Sequence, residues 1–183
     1  QGMMATLDRL KKILRILLMI SRIDNSQFLR SDDVDLQQML AEIGGELADQ
    51  MEARNIHVSV NRNPSIRLHA VSRELIFQCL FNLWHNAIRY NRDGGSIHIS
   101  GRLLTDGGYV LTVEDTGIGI AADTLPHIFN RFRKAGENKG EGYGLGLSIV
   151  RSITDYHGIR IEVQSVPGKG SLFSLHFPPG LIG

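Results

Sequence analysis

Three glycines at alternate positions, Gly142, Gly144 and Gly146, lead straight into the apolar run Leu147-Ser-Ile-Val150. Alternating glycines let the backbone turn with φ > 0 and come close to a ligand. The helix expected to begin near Leu145 presents free N–H groups and the positive end of its dipole. Such a place suits an anion, most often a phosphate. Alone, the pattern is equally that of a flexible loop capping a helix, so its neighbours decide its use.

The strand-like run Val110-Leu-Thr-Val-Glu-Asp115 opens into Thr116-Gly-Ile-Gly119, setting a carboxylate where a strand gives way to a glycine turn. A carboxylate there can accept a hydrogen bond from an exocyclic amine such as that of adenine, and the glycines leave room for a flat ring. Two commoner nucleotide motifs fail. Gly117 to Ala121 fits a loose G-x-G-x-x-A pattern, but Pro126-His-Ile-Phe-Asn-Arg-Phe-Arg133 follows in place of a second strand with an acidic end. A Walker loop fails because Gly168-Lys169 is followed by Gly170 and the upstream glycine position holds Val163.

Ser72 to Asn91 is the strongest helix in the chain, with Ser72 as N-cap and Asn91-Arg-Asp-Gly-Gly95 as its stop. Ile76, Phe77, Leu80, Phe81, Leu83, Trp84, Ala87 and Ile88 form its core stripe, while Gln78, Asn82 and Asn86 align at four-residue spacing, followed by Arg89 and Tyr90. Aligned amides are ordinarily a solvated face. Asn is a mediocre helix former, however, and two of them one turn apart suggest that their oxygens are wanted. Magnesium accepts hard oxygen donors, so these amides plus nucleotide phosphates and waters would complete its shell.

With these pieces in this order, the sequence resembles the ATP-binding catalytic domain of bacterial two-component sensor histidine kinases, in the superfamily shared with gyrase and MutL. The matching boxes are Asn82-Leu-Trp-His-Asn-Ala-Ile-Arg-Tyr-Asn91, Asp115-Thr-Gly-Ile-Gly119, Ile128-Phe-Asn-Arg-Phe132, Gly142-Tyr-Gly-Leu-Gly-Leu147 and Gly168-Lys-Gly-Ser-Leu-Phe173. The resemblance covers roughly residues 31 to 178 and implies a Bergerat-type ATP-binding fold.

It also implies roles. Asn82, Asn86 and Arg89 would be the catalytic set: Asn86 would coordinate magnesium with help from Asn82, and Arg89 would reach the phosphates. Asp115 would bind the adenine amine, Tyr90 would lie against the ring, and Gly117 and Gly119 would shape the pocket. Gly142, Tyr143, Gly144, Leu145, Gly146 and Leu147 would form the hinge and phosphate turn of an ATP lid running from Arg133 to Gly142, in which Lys134 also contacts the nucleotide. Tyr143 stands where Thr is common, and Lys134 where the box after Phe132 often ends in Arg.

ATPases of this superfamily carry a glutamate base one helical turn before the magnesium asparagine. Here that position is Asn82, which cannot take a proton at neutral pH. The expected reaction is therefore transfer of the γ-phosphoryl group of ATP to a protein imidazole, for relay to a response regulator receiver domain. Three alternatives stay open: an anti-sigma-type serine kinase, a gyrase-like ATPase, and a degenerate nucleotide-binding scaffold. The first thirty residues speak against the first, Asn82 against the second, and the intact glycines and asparagines against the third.

The family's acceptor histidine precedes an acidic residue, yet the histidines at 57, 69, 85, 98, 127, 157 and 176 precede Val, Ala, Asn, Ile, Ile, Gly and Phe. None fits. At the N-terminus Leu7, Leu10, Leu14 and Leu17 hold a heptad seam, and Ile13, Ile16, Ile20 and Ile23 a second flank, so this helix is too widely apolar to stand alone. Its end, Leu17 to Asp24, resembles the second helix of the kinase dimerisation hairpin. Residues 1–30 are thus expected to be part of a hairpin that makes the full-length protein a homodimer, with residues 31–183 as the catalytic domain. The acceptor helix would precede Gln1, Gln1-Gly2 would be an expression scar, and the kinase part would be cytoplasmic whether or not the whole protein is membrane-anchored.

A net charge of +1 and a pI near 8.1 argue against a large nucleic-acid surface. No apolar run approaches the ~20 residues of a membrane span. Cys79, the only cysteine, sits in the apolar part of its helix and reads as a small buried residue. The expected architecture is a two-layer α/β (α+β) sandwich after a long helix at about 4 to 30, with helices near 36–54, 72–91 and 145–157 in one layer. The other layer is a mixed sheet from Ile56–Val60, Ser65–Leu68, Ser96–Leu104, Tyr109–Glu114, Arg160–Ser165 and Ser171–Phe177.

Overall fold

Apolar residues at a period of two build the sheet, and at a period near 3.6 the helices that cover one of its faces. The computed structural model describes residues 2–61, 65–132 and 144–183. Its elements are α1 (Gly2–Asp24), β1 (Asp32–Asp35), α2 (Leu36–Ala53), β2 (His57–Val60), β3 (Arg67–Val71), α3 (Arg73–Arg89), β4 (Ser96–Leu103), β5 (Tyr109–Asp115), α4 (Gly146–His157), β6 (Arg160–Val166) and β7 (Gly170–Phe177). The main sheet runs β2-β4-β5-β7-β6, with β2 parallel to β4 and the remaining pairs antiparallel.

On the central strands one parity is buried, with Ile97 and Ile99 on β4, Tyr109, Leu111 and Val113 on β5, and Phe173, Leu175 and Phe177 on β7; Val110, of the opposite parity, is buried as well. The other face carries Ser100, Thr112 and Glu114. Helices α2, α3 and α4 cover the apolar face. Asp35 caps α2 by accepting from Gln38 N at 3.0 Å, and Ser72 caps α3. Gly158 stops α4 at φ 67, a conformation in which a side chain would be strained. Cys79 is buried, as its place on the apolar stripe implies.

The isoleucine flank of α1 turns inward, with Ile20 and Ile23 buried and the helix packed against α4. The leucine seam turns outward: Leu10 and Leu14 are each 57% exposed. No helix among the described residues is long and apolar enough to cross a membrane.

Three expectations need correction. The first helix ends at Asp24 rather than near residue 30, because Ser26 takes a left-handed φ of 55° and the Asn25 side chain turns back to bond Ser21 O at 2.8 Å. The strand expected at Ser65–Leu68 lies at Arg67–Val71 and pairs not with the main sheet but with β1, in a separate two-stranded sheet. Among the described residues the main sheet accordingly has five strands, not six. Positive φ at Ala70 breaks the alternation, so the buried residues of β3 are Leu68 and Val71, three apart.

Candidate functional site

Asp115 continues the buried parity of Tyr109, Leu111 and Val113, so the last residue of β5 aims a carboxylate into the layer between sheet and helices. It is 7% exposed. Its Oδ1 accepts from Gly117 N at 2.8 Å, and the Ser171 N–H, on the neighbouring strand in direct register, also donates to it. Burial pushes its pKa up to about 6; these two bonds oppose the shift, and Glu114 adds to it. A buried carboxylate with acceptor capacity to spare suits an amine donor.

Around Asp115 lies a mainly apolar pocket walled by Asn86, Ala87 and Tyr90 of α3, Gly119 and Ile120 of the following turn, Leu147 of α4, and Ser171 and Phe173 of β7. The turn needs its glycines. A Cβ on Gly117 would come within 2.2 Å of Tyr90 O, and one on Gly119, at φ 70, within 2.2 Å of Val166 O. The pocket walls are thus mainly apolar with a single carboxylate among them, a lining whose chemistry suits a flat ring bearing an amine.

Toward α4 the cleft changes character. The Oδ1 atoms of Asn86 and Asn82 converge on the start of that helix, 3.9 and 4.0 Å from where a Cβ on Gly146 would sit. Asn82 Nδ2 is buried and finds no partner among the described residues. Among the described residues no side chain caps α4 at Leu145, and because the first N–H groups of a helix have no partner within it, an anion suits them. Among the described residues no group of three or more His, Cys, Asp or Glu could hold a metal, so a cation here would need amide oxygens and ligand phosphates together.

Of the residues expected from sequence, Asn86, Tyr90, Asp115, Gly119 and Leu147 wall the pocket. Asn82 and Gly146 border its polar end, Gly117 supports Asp115 from behind, and Leu145 is the buried residue preceding α4 beside Gly144. Arg89 stays outside the walls, its guanidinium 5.5 Å from the Tyr90 ring centre. Lys134, Gly142, Tyr143 and the expected lid lie outside the described residues. Sequence reasoning missed Ala87, Ile120, Ser171 and Phe173 as walls; the strand parity that points Phe173 inward also points Ser171 there. His85 stacks on Phe81 with ring centres 5.9 Å apart, and burial, then Arg89 and Lys12, lower its pKa. A larger, mostly apolar cavity is lined by Leu36, Leu40 and Gly44 of α2, Val58 and Val60 of β2, and Trp84 of α3.

Residues 71–181 match the family model described as histidine kinase-, DNA gyrase B-, and HSP90-like ATPase. The phosphate regulon sensor protein PhoR of Pseudomonas aeruginosa is 32% identical over 186 residues, covering 100% of this chain and 42% of PhoR. The chain therefore spans well under half the length of that relative. The nucleotide-free catalytic domain of histidine kinase ThkA superposes with a TM-score of 0.70 at 27% identity, over 81% of this chain and 95% of that one. ThkA in complex with the response regulator protein TrrA superposes with a TM-score of 0.74 at 25% identity, over 96% of this chain and 49% of that one. The chain belongs to the histidine kinase-, DNA gyrase B- and HSP90-like ATPase family, and the relatives that it matches are sensor kinases.

Proposed function

We propose that this cleft holds ATP with its adenine amine on Asp115 and its phosphates at the start of α4, for transfer of the γ-phosphoryl group to a histidine of the same sensor kinase. The observation that carries the reading is the pairing of a buried, solitary carboxylate at one end with two amide oxygens beside an uncapped helix N-terminus at the other. Tyr90 packs against the ring, and the first amides of α4 bind phosphate oxygens.

The amide oxygens of Asn82 and Asn86 suit magnesium, a hard cation that keeps waters and phosphates in its shell, and coordination through Asn82 Oδ1 would leave its orphaned Nδ2 free to donate to a phosphate. Held by these amides, the cation would supply neutralisation of phosphate charge. Arg89, which now lies against Tyr90, turns to the phosphates when they arrive. Asn82 offers no base for water, so the chain's residues position ATP for an imidazole nucleophile.

Residues 1–30 form part of a dimerisation hairpin and residues 31–183 the catalytic domain, which phosphorylates the acceptor for a response regulator, as the ThkA–TrrA complex suggests. The exposed seam of Leu7, Leu10 and Leu14 supports dimerisation through α1 in the full-length protein. A kinase part that draws on ATP would work in the cytoplasm. Calorimetric titration with ADP, with and without magnesium, tests the reading: saturable binding that magnesium strengthens is expected, and no binding in either condition refutes it.

A further inference from the structure

Arg54 lies outside every motif of the cleft, on a different helix, yet its side chain grips the segment that carries Tyr90. It is the C-cap residue of α2. Its Nη1 donates to Ile88 O and to Arg89 O at 3.2 Å, its Nη2 to Asn91 O at 2.6 Å, and its Nε to Asp93 Oδ1 at 2.9 Å. The Arg54 carbonyl in turn accepts from Gly94 N at 2.9 Å. The last carbonyls of a helix have no partner within it, and a guanidinium meets several of them with a planar fork while placing positive charge at the negative end of the helix dipole.

We propose that Arg54 is a positioning residue for the nucleotide, holding the end of α3 so that Tyr90 stays at the adenine end of the cleft; the proposal rests on the nucleotide reading above. Tyr90 is gripped from both sides. Arg54 binds the carbonyls of Arg89 and Asn91, while Tyr90 O itself accepts from Ile118 N at 3.0 Å, in the glycine turn that follows Asp115. Asn91 completes the bracket: its Nδ2 donates to Ser96 O at 3.0 Å and its Oδ1 accepts from Thr116 Oγ1 at 3.3 Å, next to Asp115. The Tyr90 wall and the Asp115 carboxylate are thereby fixed to one frame, whose outer clamp is Arg54.

This clamp sits at the surface of the fold. The Arg54 side chain is 32% exposed and that of Asp93 79%, whereas α2 and α3 are already joined through buried residues such as Leu47 and Leu83. Loss of the fork should therefore loosen the turn after α3 before it loosens the domain. Lysine would keep the charge but, as a compact point donor, could not span the same carbonyls.

Calorimetric titration of ADP and magnesium into the parent, Arg54→Lys, Tyr90→Ala, Asp93→Asn and the Arg54→Lys/Tyr90→Ala double variant tests the proposal. Arg54→Lys and Tyr90→Ala are each expected to weaken binding about tenfold, and the double variant to bind within about twofold of Tyr90→Ala, because Arg54 acts through Tyr90. Asp93→Asn keeps the carbonyl bonds and should stay within about twofold of the parent. Unchanged affinity in Arg54→Lys, a fully additive double variant, or an Asp93→Asn loss as large as that of Arg54→Lys overturns the proposal. So does an Arg54→Lys protein too unstable to titrate, since its role would then be structural. A Tyr90→Ala protein that binds like the parent removes the nucleotide reading itself.

Discussion

His157, at the end of α4, accepts the backbone N–H of Ser72 on its Nε2 at 3.0 Å and so ties the close of α4 to the start of α3. Its Nδ1–H donates to Ile153 O at 2.8 Å, so both ring nitrogens are committed in the neutral form. Burial is the main cause of a pKa below the usual 6.5; the Arg30 charge also lowers it, against the bond to Ile153. A folded pKa below the unfolded one means that the unfolded chain binds the proton first. This group's stabilisation is whole above about pH 6.5 and is lost as pH falls below that.

His157→Leu should accordingly cost about 1 to 3 kcal/mol at pH 8, by stranding the Ser72 N–H. It should also flatten the loss of stability below pH 6.5. Urea unfolding of both proteins at pH 8 and pH 5.5 checks this, and an unaltered pH slope in the variant would count against the neutral-ring assignment.

Asp115 runs in the opposite sense. Its folded pKa of about 6 exceeds the usual 3.8, so its contribution is favourable below pH 3.8 and is lost as pH rises through 6. Asp115→Asn should make the nucleotide-free protein more stable at pH 8, on the order of 2 kcal/mol, with little gain near pH 4. Parent affinity for ADP should fall as pH drops through 6, and Asp115→Ala should bind ADP about 1 to 3 kcal/mol more weakly at pH 8. Calorimetry across this range, with thermal melts, decides both.

Asn86 stands at the polar end of the cleft rather than in the core. Asn86→Ala should therefore leave the melting temperature within a few degrees of the parent and largely remove the gain in ADP affinity on adding magnesium. An equal magnesium response in the two proteins would take Asn86 out of the metal shell.

Burial raises the Cys79 thiol to about 12 and leaves it 2% exposed. It should not react with a disulfide reagent at pH 8 in the native state. In denaturing urea it should react at once, so the rate in between reports opening of α3.

Where periodicity was strong, the sequence was legible. The stripe from Ile76 to Ile88 and the alternation Tyr109, Leu111, Val113 announce α3 and β5 without tertiary information. Asp115 and Asn86 were readable because glycines and aligned amides are poor choices for a mere core. The run Asp32-Asp-Val-Asp35 carries no strand signal, and only pairing with β3 makes it one. Ser171 and the His157–Ser72 bond escaped for a related reason: cross-strand register and helix packing create them, and neither is a property of a single segment. Arg54 carries no motif of its own, and its grip on the end of α3 arises only when the close of α2 is packed beside that turn.

The most direct test of the central claim is incubation of this chain, and of a form extended on its N-terminal side, with ATP labelled on the γ-phosphate, followed by acid and base treatment. The account predicts little label on this chain and, on the longer form, an acid-labile, base-stable label at a histidine before residue 1 that Asn86→Ala abolishes. Label on His85 of this chain, or acid-stable label on a serine of either form, would contradict it.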